Sequence, residues 1–98
     1  MAQQIVWTIK AKNELIEILQ YWKNRNKSNT FGLKLNKLID EQLLLISDFP
    51  NIGRKTDVEN VYVKVIQKYL LYYKMESETL FVLTIRHTSQ NPTTLKLK

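Results

Sequence analysis

The sequence lacks cysteine and contains little glycine or histidine. Its 98 residues include no Cys, two Gly and one His. The absence of cysteine excludes disulfides, Cys-ligated zinc, iron–sulfur clusters and a cysteine nucleophile. Two glycines are too few for the Gly-rich loops that bind phosphates and dinucleotides, and no nucleophile elbow is present. No acidic residues stand at metal-ligand spacing from the histidine, so we expect neither a metal ion nor a cofactor.

Long apolar runs are also missing. The longest, Tyr69–Tyr73, is far shorter than the roughly 18 residues that a membrane-spanning helix needs. Residues 1–7 have neither the basic start nor the apolar stretch of a signal peptide. We therefore expect a cytoplasmic protein without a membrane partner.

Acidic residues are the minority among the charges. The chain has 15 Lys and Arg against 9 Asp and Glu, a formal net charge of +6, and the excess is larger after Pro50 than before it. An acidic partner is therefore expected. Hydrophobic residues make up 44% of the chain and charged residues 24%, which is typical of a globular protein. We expect a single domain over residues 1–98, with residues 93–98 as a candidate flexible tail.

The first half of the chain predicts a strand followed by two helices. Residues 5–9 alternate in a way typical of a short strand, and Thr8 is the expected N-cap of the next helix. Two apolar stripes at helical spacing follow, separated by the polar segment Asn24–Asn29, and the second should end near Asp48 because Pro50 disfavours helical backbone before it. The stripes are Ala11, Leu15, Ile18, Leu19 and Trp22, then Phe31, Leu35, Leu38, Ile39, Ile46 and Phe49. They predict an antiparallel helical hairpin.

The second half of the chain predicts three strands. Apolar residues alternate over three segments that are rich in β-branched and aromatic residues, and short connections separate them. The segments are 61–65, 69–75 and 80–85. We expect an α+β fold of order β-α-α-β-β-β, with the helical hairpin packed on a small, mainly antiparallel sheet. Spacing alone leaves open which strand the first one joins.

The segment Phe49–Lys55 allows two interpretations. Pro50 stops the helix, and Gly53 is followed by the cations Arg54 and Lys55. By loop statistics this is a turn in which Gly53 supplies an unusual backbone angle and both cations are solvated. Alternatively, the two cations sit on a stiff corner that is suited to a phosphate or a carboxylate.

Cationic residues also recur in and beside the predicted strands. Lys64, Lys74 and Arg86 each belong to a run whose alternate residues are apolar, which allows them to share the exposed face of the sheet. Lys68 lies beside them in sequence, and Tyr72 is one of several interleaved tyrosines. Cations with aromatic rings suit RNA or an acidic protein, while an ordinary solvated face explains the same pattern.

The single histidine, His87, follows Arg86 at the end of the last predicted strand. Metal-free RNA cleavage needs a proton acceptor, cations that stabilise the phosphorane and a proton donor. His87, Arg86 and Lys64 are the candidate catalytic residues for such a reaction. A lone histidine after a strand is more often structural, so residue types alone leave both interpretations open.

These segments together resemble toxins of the RelE/ParE superfamily from bacterial type II toxin–antitoxin modules. The resemblance spans nearly the whole chain and rests on the order and spacing of its pieces. The pieces are Ile5–Thr8, Ala11 to Tyr21, Phe49–Arg54, Val61–Lys64, Tyr69–Tyr73 and Ile85–His87. The resemblance implies the same β-α-α and three-stranded fold. It also implies a growth-inhibiting toxin that a small acidic antitoxin, encoded beside it, neutralises in a hetero-oligomer.

The resemblance implies two alternative activities. ParE-like members bind DNA gyrase and inhibit it, whereas RelE-like members cleave mRNA on the ribosome without a metal. The long helical hairpin and the Pro-x-x-Gly-Arg loop are closer to the ParE-like side. Ser89 and Gln90 stand where relatives often have arginine, and no tyrosine follows the last strand, which disfavours cleavage.

We therefore expect a ParE-like gyrase inhibitor. A ribosome-dependent mRNA endonuclease is the alternative, and a degenerate remnant that only binds antitoxin is the third possibility. The candidates for target or phosphate binding are Arg54, Lys55, Lys68 and Tyr72; those for catalysis, if the protein is a ribonuclease, are His87, Arg86 and Lys64.

Overall fold

The fold follows the expected order. The computed structural model describes residues 4–26 and 30–88. Its elements are β1 Gln4–Trp7, α1 Ile9–Asn26, α2 Thr30–Asp48, a 3-10 helix Pro50–Ile52, β2 Arg54–Lys55, β3 Val61–Ile66, β4 Tyr69–Glu76 and β5 Thr79–His87. The predicted β-α-α-β-β-β order is confirmed, with the two-residue strand β2 added. Within the described ranges, neither helix is long and apolar enough to cross a membrane. The expected flexible tail, residues 93–98, lies outside the described residues, and so do Ser89 and Gln90.

The strands form one mixed sheet in the order β1-β5-β4-β3-β2. The pairs β5–β4, β4–β3 and β3–β2 are antiparallel, which confirms the predicted meander. β1 pairs with β5 in parallel, with Ile5 opposite Leu80 and Trp7 opposite Val82. The partner of the first strand, which spacing left open, is thus the last strand of the chain.

Thr8 sets the junction between β1 and α1. Its hydroxyl oxygen accepts the Ala11 N–H at 3.2 Å, so Thr8 is the N-cap, as predicted. The same hydroxyl donates to the Val82 carbonyl at 2.9 Å, which ties the junction to β5. The expectation that Ile9 belongs to the strand is wrong: Ile9 begins α1, and its side chain is 80% exposed. The cap at Thr8 starts the helix one residue before the alternation ends.

The core lies between the helical hairpin and one face of the sheet. Every member of the two predicted helical stripes belongs to this core or packs against it, except Leu19 and Phe49. Its fully buried members are Ala11, Leu35, Ile39, Leu43, Ile46, Ile66, Tyr69, Leu71, Tyr73, Leu80, Val82 and Ile85. Phe49 is 61% exposed because α2 ends at Asp48, as Pro50 predicts, and the chain then turns into the 3-10 helix. The placement of Phe49 in the core stripe was therefore wrong.

A bulge interrupts β5 near its middle. Tyr73 faces Val82 and Tyr72 faces Thr84, so Leu83 is the extra residue without a partner on β4. The bulge turns the main chain after it, and the N–H of Ile85 then meets a side chain of α1 at the sheet edge. The second half of β5 is thereby joined to α1.

Candidate functional site: a cationic and aromatic cleft between α1 and β5

A cleft opens between the C-terminal half of α1 and the end of β5. Its volume is about 580 Å³, within the range of ligand-binding pockets. We call it the α1–β5 cleft. Its lining residues are Glu14, Glu17, Ile18, Tyr21, Trp22 and Arg25 of α1, Lys68 of the β3–β4 turn, Tyr69 of β4, and Ile85, Arg86 and His87 of β5.

Strand lengths explain why the cleft exists. β1 has 4 residues and pairs only with Thr79–Val82, whereas β5 has 9 residues and continues to His87. Beyond Val82, the neighbour of β5 on this side is α1 and not another strand. On α1, Ile18, Tyr21 and Arg25 lie at positions i, i+3 and i+7, so they line one side of the helix.

Aromatic rings form one wall of the cleft. The indole N–H of Trp22 donates to the Tyr69 hydroxyl at 2.6 Å, which joins α1 to β4. The His87 ring stands edge-on to Tyr69, with the ring centres 5.3 Å apart. Tyr21 packs edge-on against Trp22 at 5.2 Å, and its own ring is largely exposed. The hydrogen bond between Trp22 and Tyr69 orients both rings, so this wall of the cleft is preformed.

The charges of the cleft are divided between its two ends. Arg25, at the end of α1, donates to the Tyr21 hydroxyl at 3.4 Å and is exposed, as is Lys68. Arg86 adds a third cation, and its Nε atom is buried and has no hydrogen-bond partner among the described contacts. The carboxylates, Glu14 and Glu17, lie towards the start of α1. The end near Arg25 is therefore cationic.

The Glu14 carboxylate is occupied by contacts within the protein. Its Oε1 accepts the Thr84 hydroxyl at 2.6 Å and the Ile85 N–H at 3.3 Å. Its Oε2 pairs with Lys10 at 3.0 Å, and Lys10 also donates to the Thr84 hydroxyl oxygen at 3.2 Å. The carboxylate thus fastens α1 to the bulged part of β5, and its negative charge is compensated by Lys10.

Three of the residues predicted for the site line the α1–β5 cleft. They are Lys68, Arg86 and His87. Tyr72 is also close to Arg86: burial raises the pKa of Tyr72, and the Arg86 charge opposes that rise. The candidate residues at the end of β5 are therefore near one another, as the sequence suggested.

Lys64 does not line the cleft, and the strand register places it on a different face of the sheet from Arg86. Residues opposite each other on paired strands share a face of the sheet. Lys64 lies opposite Leu71, which is in the core, so it occupies the helix-covered face. Leu71 of β4 and Ile85 of β5 face each other in the core, on the helix-covered face. Lys74 is three residues from Leu71, and Arg86 is one residue from Ile85, so both lie on the other face. There Lys74 is opposite Phe81, and Arg86 is opposite Leu70. The expectation that Lys64, Lys74 and Arg86 share one exposed face is therefore wrong.

Arg54 and Lys55 lie at the opposite edge of the sheet, on β2. Both are exposed. Arg54 pairs with Val63 and Lys55 with Tyr62, so the two side chains belong to opposite faces and do not form a pair of cations on one surface. β4 and β3 separate this edge from β5, which keeps it apart from the α1–β5 cleft.

The corner before β2 is stiff for a reason that the sequence did not reveal. The Tyr73 hydroxyl donates to the Pro50 carbonyl at 2.8 Å and accepts the Gly53 N–H at 3.0 Å. The expected unusual backbone angle at Gly53 is wrong, because its φ of −75° and ψ of 168° are ordinary extended values. Glycine is needed here because a Cβ would collide with the Tyr73 phenol.

The sequence-based prediction identified only three of the eleven residues that line the cleft. Tyr21, Trp22, Arg25 and Tyr69 were not among the predicted site residues, and Trp22 was assigned to the helical core stripe. The one sequence feature that could have indicated these residues is the pair Tyr21 and Arg25, which stand four residues apart beside the polar segment that ends α1. Only the fold brings this pair next to Lys68 and His87.

The chemistry that the cleft offers is binding of an anionic partner. Three cations and a histidine stand beside exposed and half-buried aromatic rings. Among the described residues, no three His, Asp or Glu side chains are grouped so that they could hold a metal ion. His87 and Arg86 are two of the three candidate catalytic residues, and the third, Lys64, is on β3.

Comparison with known proteins identifies the class. The family model described as ParE toxin of type II toxin-antitoxin system, parDE, matches residues 5–92. The chain is thus a toxin-type component of a type II toxin–antitoxin system, and within that class it belongs to the ParE toxin family.

A solved structure has the same fold. It is titled "Chromosomal ParDE TA system from P. aeruginosa"; the TM-score is 0.75 at 19% sequence identity, over 91% of this chain and 98% of that chain. At this identity the likeness shows the fold alone. No curated protein matches the chain significantly.

Proposed function

We propose that the protein inhibits bacterial growth by binding DNA gyrase in the cytoplasm. We further propose that a small acidic antitoxin, encoded beside it, neutralises the toxin. The observation that carries the proposal is a cationic, ring-lined cleft on a chain of the ParE toxin family. Cations beside exposed rings favour an acidic macromolecular surface, because each charge steers the partner and each ring supplies apolar contact area.

The positions of the candidate catalytic residues favour binding over RNA cleavage. Metal-free cleavage needs its acid, base and cations around one phosphate. Lys64 and His87 lie on the helix-covered face, opposite the core residues Leu71 and Tyr69, whereas Arg86 lies in register with Leu70 on the other face. This separation supports the gyrase-binding proposal over the alternative, a ribosome-dependent mRNA endonuclease.

Controlled expression tests the toxin–antitoxin part of the proposal. We expect induction of the protein in a bacterial host to stop growth, and co-expression of the adjacent reading frame to restore it. The double variant Arg25→Glu, Lys68→Glu should accumulate to the same level and arrest growth much less, because both substituted side chains are exposed and line the cleft. Normal growth despite full accumulation of the unsubstituted protein would favour the degenerate remnant.

An in vitro translation assay separates the two toxic mechanisms. We expect mRNA to remain intact when the purified protein is added to translating ribosomes. Ribosome-dependent mRNA cuts that disappear in His87→Ala would instead establish the endonuclease and overturn gyrase binding as the activity. The His87→Ala protein must keep the thermal stability of the unsubstituted chain for that comparison, because the His87 ring contacts Tyr69.

A further inference from the structure

Helix α2 carries a second line of side chains on its solvent side. Leu33 and Leu44 are 68% and 62% exposed, whereas most other apolar residues of α2 contact the core. Lys37 and Asp40 lie between the two leucines and are also exposed. Successive members are four, three and four positions apart, the spacing that aligns side chains along one side of a helix. We call Leu33, Lys37, Asp40 and Leu44 the α2 stripe.

The charges on this side of α2 run against the helix dipole. The cations Lys34 and Lys37 lie in the first half of the helix, and the acidic residues Asp40, Glu41 and Asp48 lie in the second half. A helix is stabilised by the opposite order, because its N-terminus is partly positive and its C-terminus partly negative. The order of charges therefore disfavours an isolated α2 and indicates that another surface compensates it.

These charges are not compensated within the described part of the chain. The ion pairs that the described residues form lie on α1 and on β4, and none includes a charged residue of α2. Lys37 precedes Glu41 by four positions, which is the less favourable order for a pair within one helix. The charged side chains of the α2 stripe can therefore pair with another molecule.

An antiparallel second copy of α2 has the complementary pattern. When two α2 helices pack in opposite directions about a two-fold axis midway between residues 37 and 40, Leu33 of each copy meets Leu44 of the other. Lys37 of each copy then meets Asp40 of the other. Because the axis generates every contact twice, the stripe makes two leucine contacts and two central ion pairs. The opposed dipoles of the two helices also attract each other.

We propose that the protein forms a symmetric dimer in which two α2 helices pack antiparallel through the α2 stripe. This inference goes beyond the proposed function and does not depend on the identity of the cellular target. Charge favours a second copy over an acidic partner at this surface. The exposed charged residues of α2 are two cations and three acids, on a chain whose formal net charge is +6.

The α2 stripe is short, so the dimer is weak. The helix rises about 16 Å from Leu33 to Leu44. One helix pair of this length buries less than the roughly 1,600 Å² of a standard stable interface. We therefore expect monomer and dimer to exchange at protein concentrations of about 0.01–1 mM. No member of the stripe lines the α1–β5 cleft, so the dimer contact leaves the cleft residues of both copies unused.

The exposed apolar corner after α2 is less suited to a second copy. Phe49 and Ile52 are exposed there, close in sequence to the exposed cations Arg54 and Lys55 of β2. Two copies that meet at this corner bring together two cations from each copy, against one acidic residue from each, Asp48. On the α2 stripe every cation meets an acid, so the stripe is the favoured contact.

Sedimentation velocity of the purified full chain tests the contact. We expect the weight-average sedimentation coefficient to rise over about 0.01–1 mM as the dimer forms. Lys37→Glu and Asp40→Lys each turn the two central attractions into repulsions, so each should weaken association by at least about tenfold. Glu78→Lys makes the same charge change as Asp40→Lys at an exposed turn, and it should alter association by less than about twofold.

Mixing the two single variants gives a readout that depends on the antiparallel geometry. In a mixed dimer, the acid introduced at position 37 of one copy faces the lysine introduced at position 40 of the other, and the second pair keeps its native residues. The equal mixture should therefore associate about as tightly as the unsubstituted chain, although neither variant does so alone. The chain that carries both Lys37→Glu and Asp40→Lys should dimerise for the same reason. Circular dichroism should be unchanged in all variants, because both positions are exposed.

Several outcomes would overturn the proposal. A chain that stays monomeric up to about 1 mM has no such dimer, and a mixture that associates no better than either variant alone does not use the Lys37–Asp40 contact. Association that only Phe49→Ser weakens lies at the corner after α2. If the chain is monomeric and Lys37→Glu weakens binding of the adjacent reading frame's product, the α2 stripe serves that partner and not a second copy. The growth assay measures the toxin–antitoxin function separately, so that function stands or fails independently of the dimer.

Discussion

One buried tyrosine holds the loop that leads into the edge strand β2. The Tyr73 side chain is fully buried, and its hydroxyl bonds both to the Pro50 carbonyl and to the Gly53 N–H. Both partners belong to the segment that connects α2 to β2. The Pro-x-x-Gly-Arg loop therefore has a structural role. Gly53 allows the Tyr73 phenol to approach the main chain closely, and the Tyr73 hydroxyl makes the hydrogen bonds that hold the loop.

The Tyr73 contacts predict a measurable loss of stability. Tyr73→Phe leaves the Pro50 carbonyl and the Gly53 N–H without their partner, which should cost about 1–3 kcal/mol in the free energy of unfolding. Gly53→Ala should cost a similar amount, about 1–3 kcal/mol, because its Cβ collides with the phenol. Urea unfolding of the two single variants and the double variant measures the coupling. Strictly additive effects would contradict direct contact between Gly53 and Tyr73.

The same tyrosine predicts a loss of stability at alkaline pH. Burial raises the pKa of Tyr73 above its ordinary value of 10.0; the Gly53 N–H opposes the rise and Tyr62 adds to it. The folded protein therefore keeps a proton that the unfolded chain releases. The contribution of Tyr73 is complete below about pH 10 and is lost as pH rises through the folded pKa.

Urea unfolding between pH 8 and about 11 checks this sign. The free energy of unfolding should fall more steeply above pH 10 for the unsubstituted protein than for Tyr73→Phe, which has no phenol to ionise. Identical slopes in the two proteins would show that the pKa of Tyr73 is not raised by folding.

Among the contacts between secondary-structure elements, the Glu14 carboxylate links α1 to β5 through several hydrogen bonds. Glu14 accepts hydrogen bonds from the Thr84 side chain and the Ile85 main chain and pairs with Lys10. Glu14→Ala should lower the free energy of unfolding by about 2 kcal/mol, because two donors on β5 lose a charged acceptor. Lys10→Ala should cost less than about 1 kcal/mol, since that ion pair is partly exposed. Equal costs for the two variants would contradict the role given to Glu14.

Elements with a clear hydrophobic period were predictable from the sequence. The two helices show a helical apolar period and the three long strands show alternation, and these patterns identify each element and its approximate bounds. The N-cap at Thr8 was also identified correctly. The strand β2 was missed because two residues contain no period. The parallel pairing of β1 with β5 was not predictable, because the paired residues are 75 positions apart in sequence.

The cleft was only partly predictable for the same physical reason. The sequence predicted three of its residues, because cations and a histidine stand near strand ends: Lys68, Arg86 and His87. Trp22 and Tyr69 are separated by 47 positions, and nothing local indicates that the indole of one bonds to the phenol of the other. Side chains that meet only through tertiary packing leave no period in the sequence.

For the molecule as a whole, the net charge should govern the association rate constant of the antitoxin. The chain has a formal net charge of +6, and the cationic end of the cleft is exposed. The association rate constant should fall by about tenfold or more between low and high salt, while the dissociation rate constant changes much less. Stopped-flow measurements with Trp22 as the probe check this. A salt-independent association rate constant would show that electrostatic steering does not contribute to antitoxin binding.

We propose that this ParE family protein acts on DNA gyrase by binding it. The most direct measurement is incubation of purified gyrase, plasmid DNA and ATP with the protein, followed by detection of cleaved DNA–gyrase complexes on a denaturing gel. We expect cleaved complexes to accumulate with the unsubstituted protein, and to be lost with the double variant Arg25→Glu, Lys68→Glu or after prior addition of antitoxin. Uncleaved plasmid at every toxin concentration, with gyrase fully active, would contradict it.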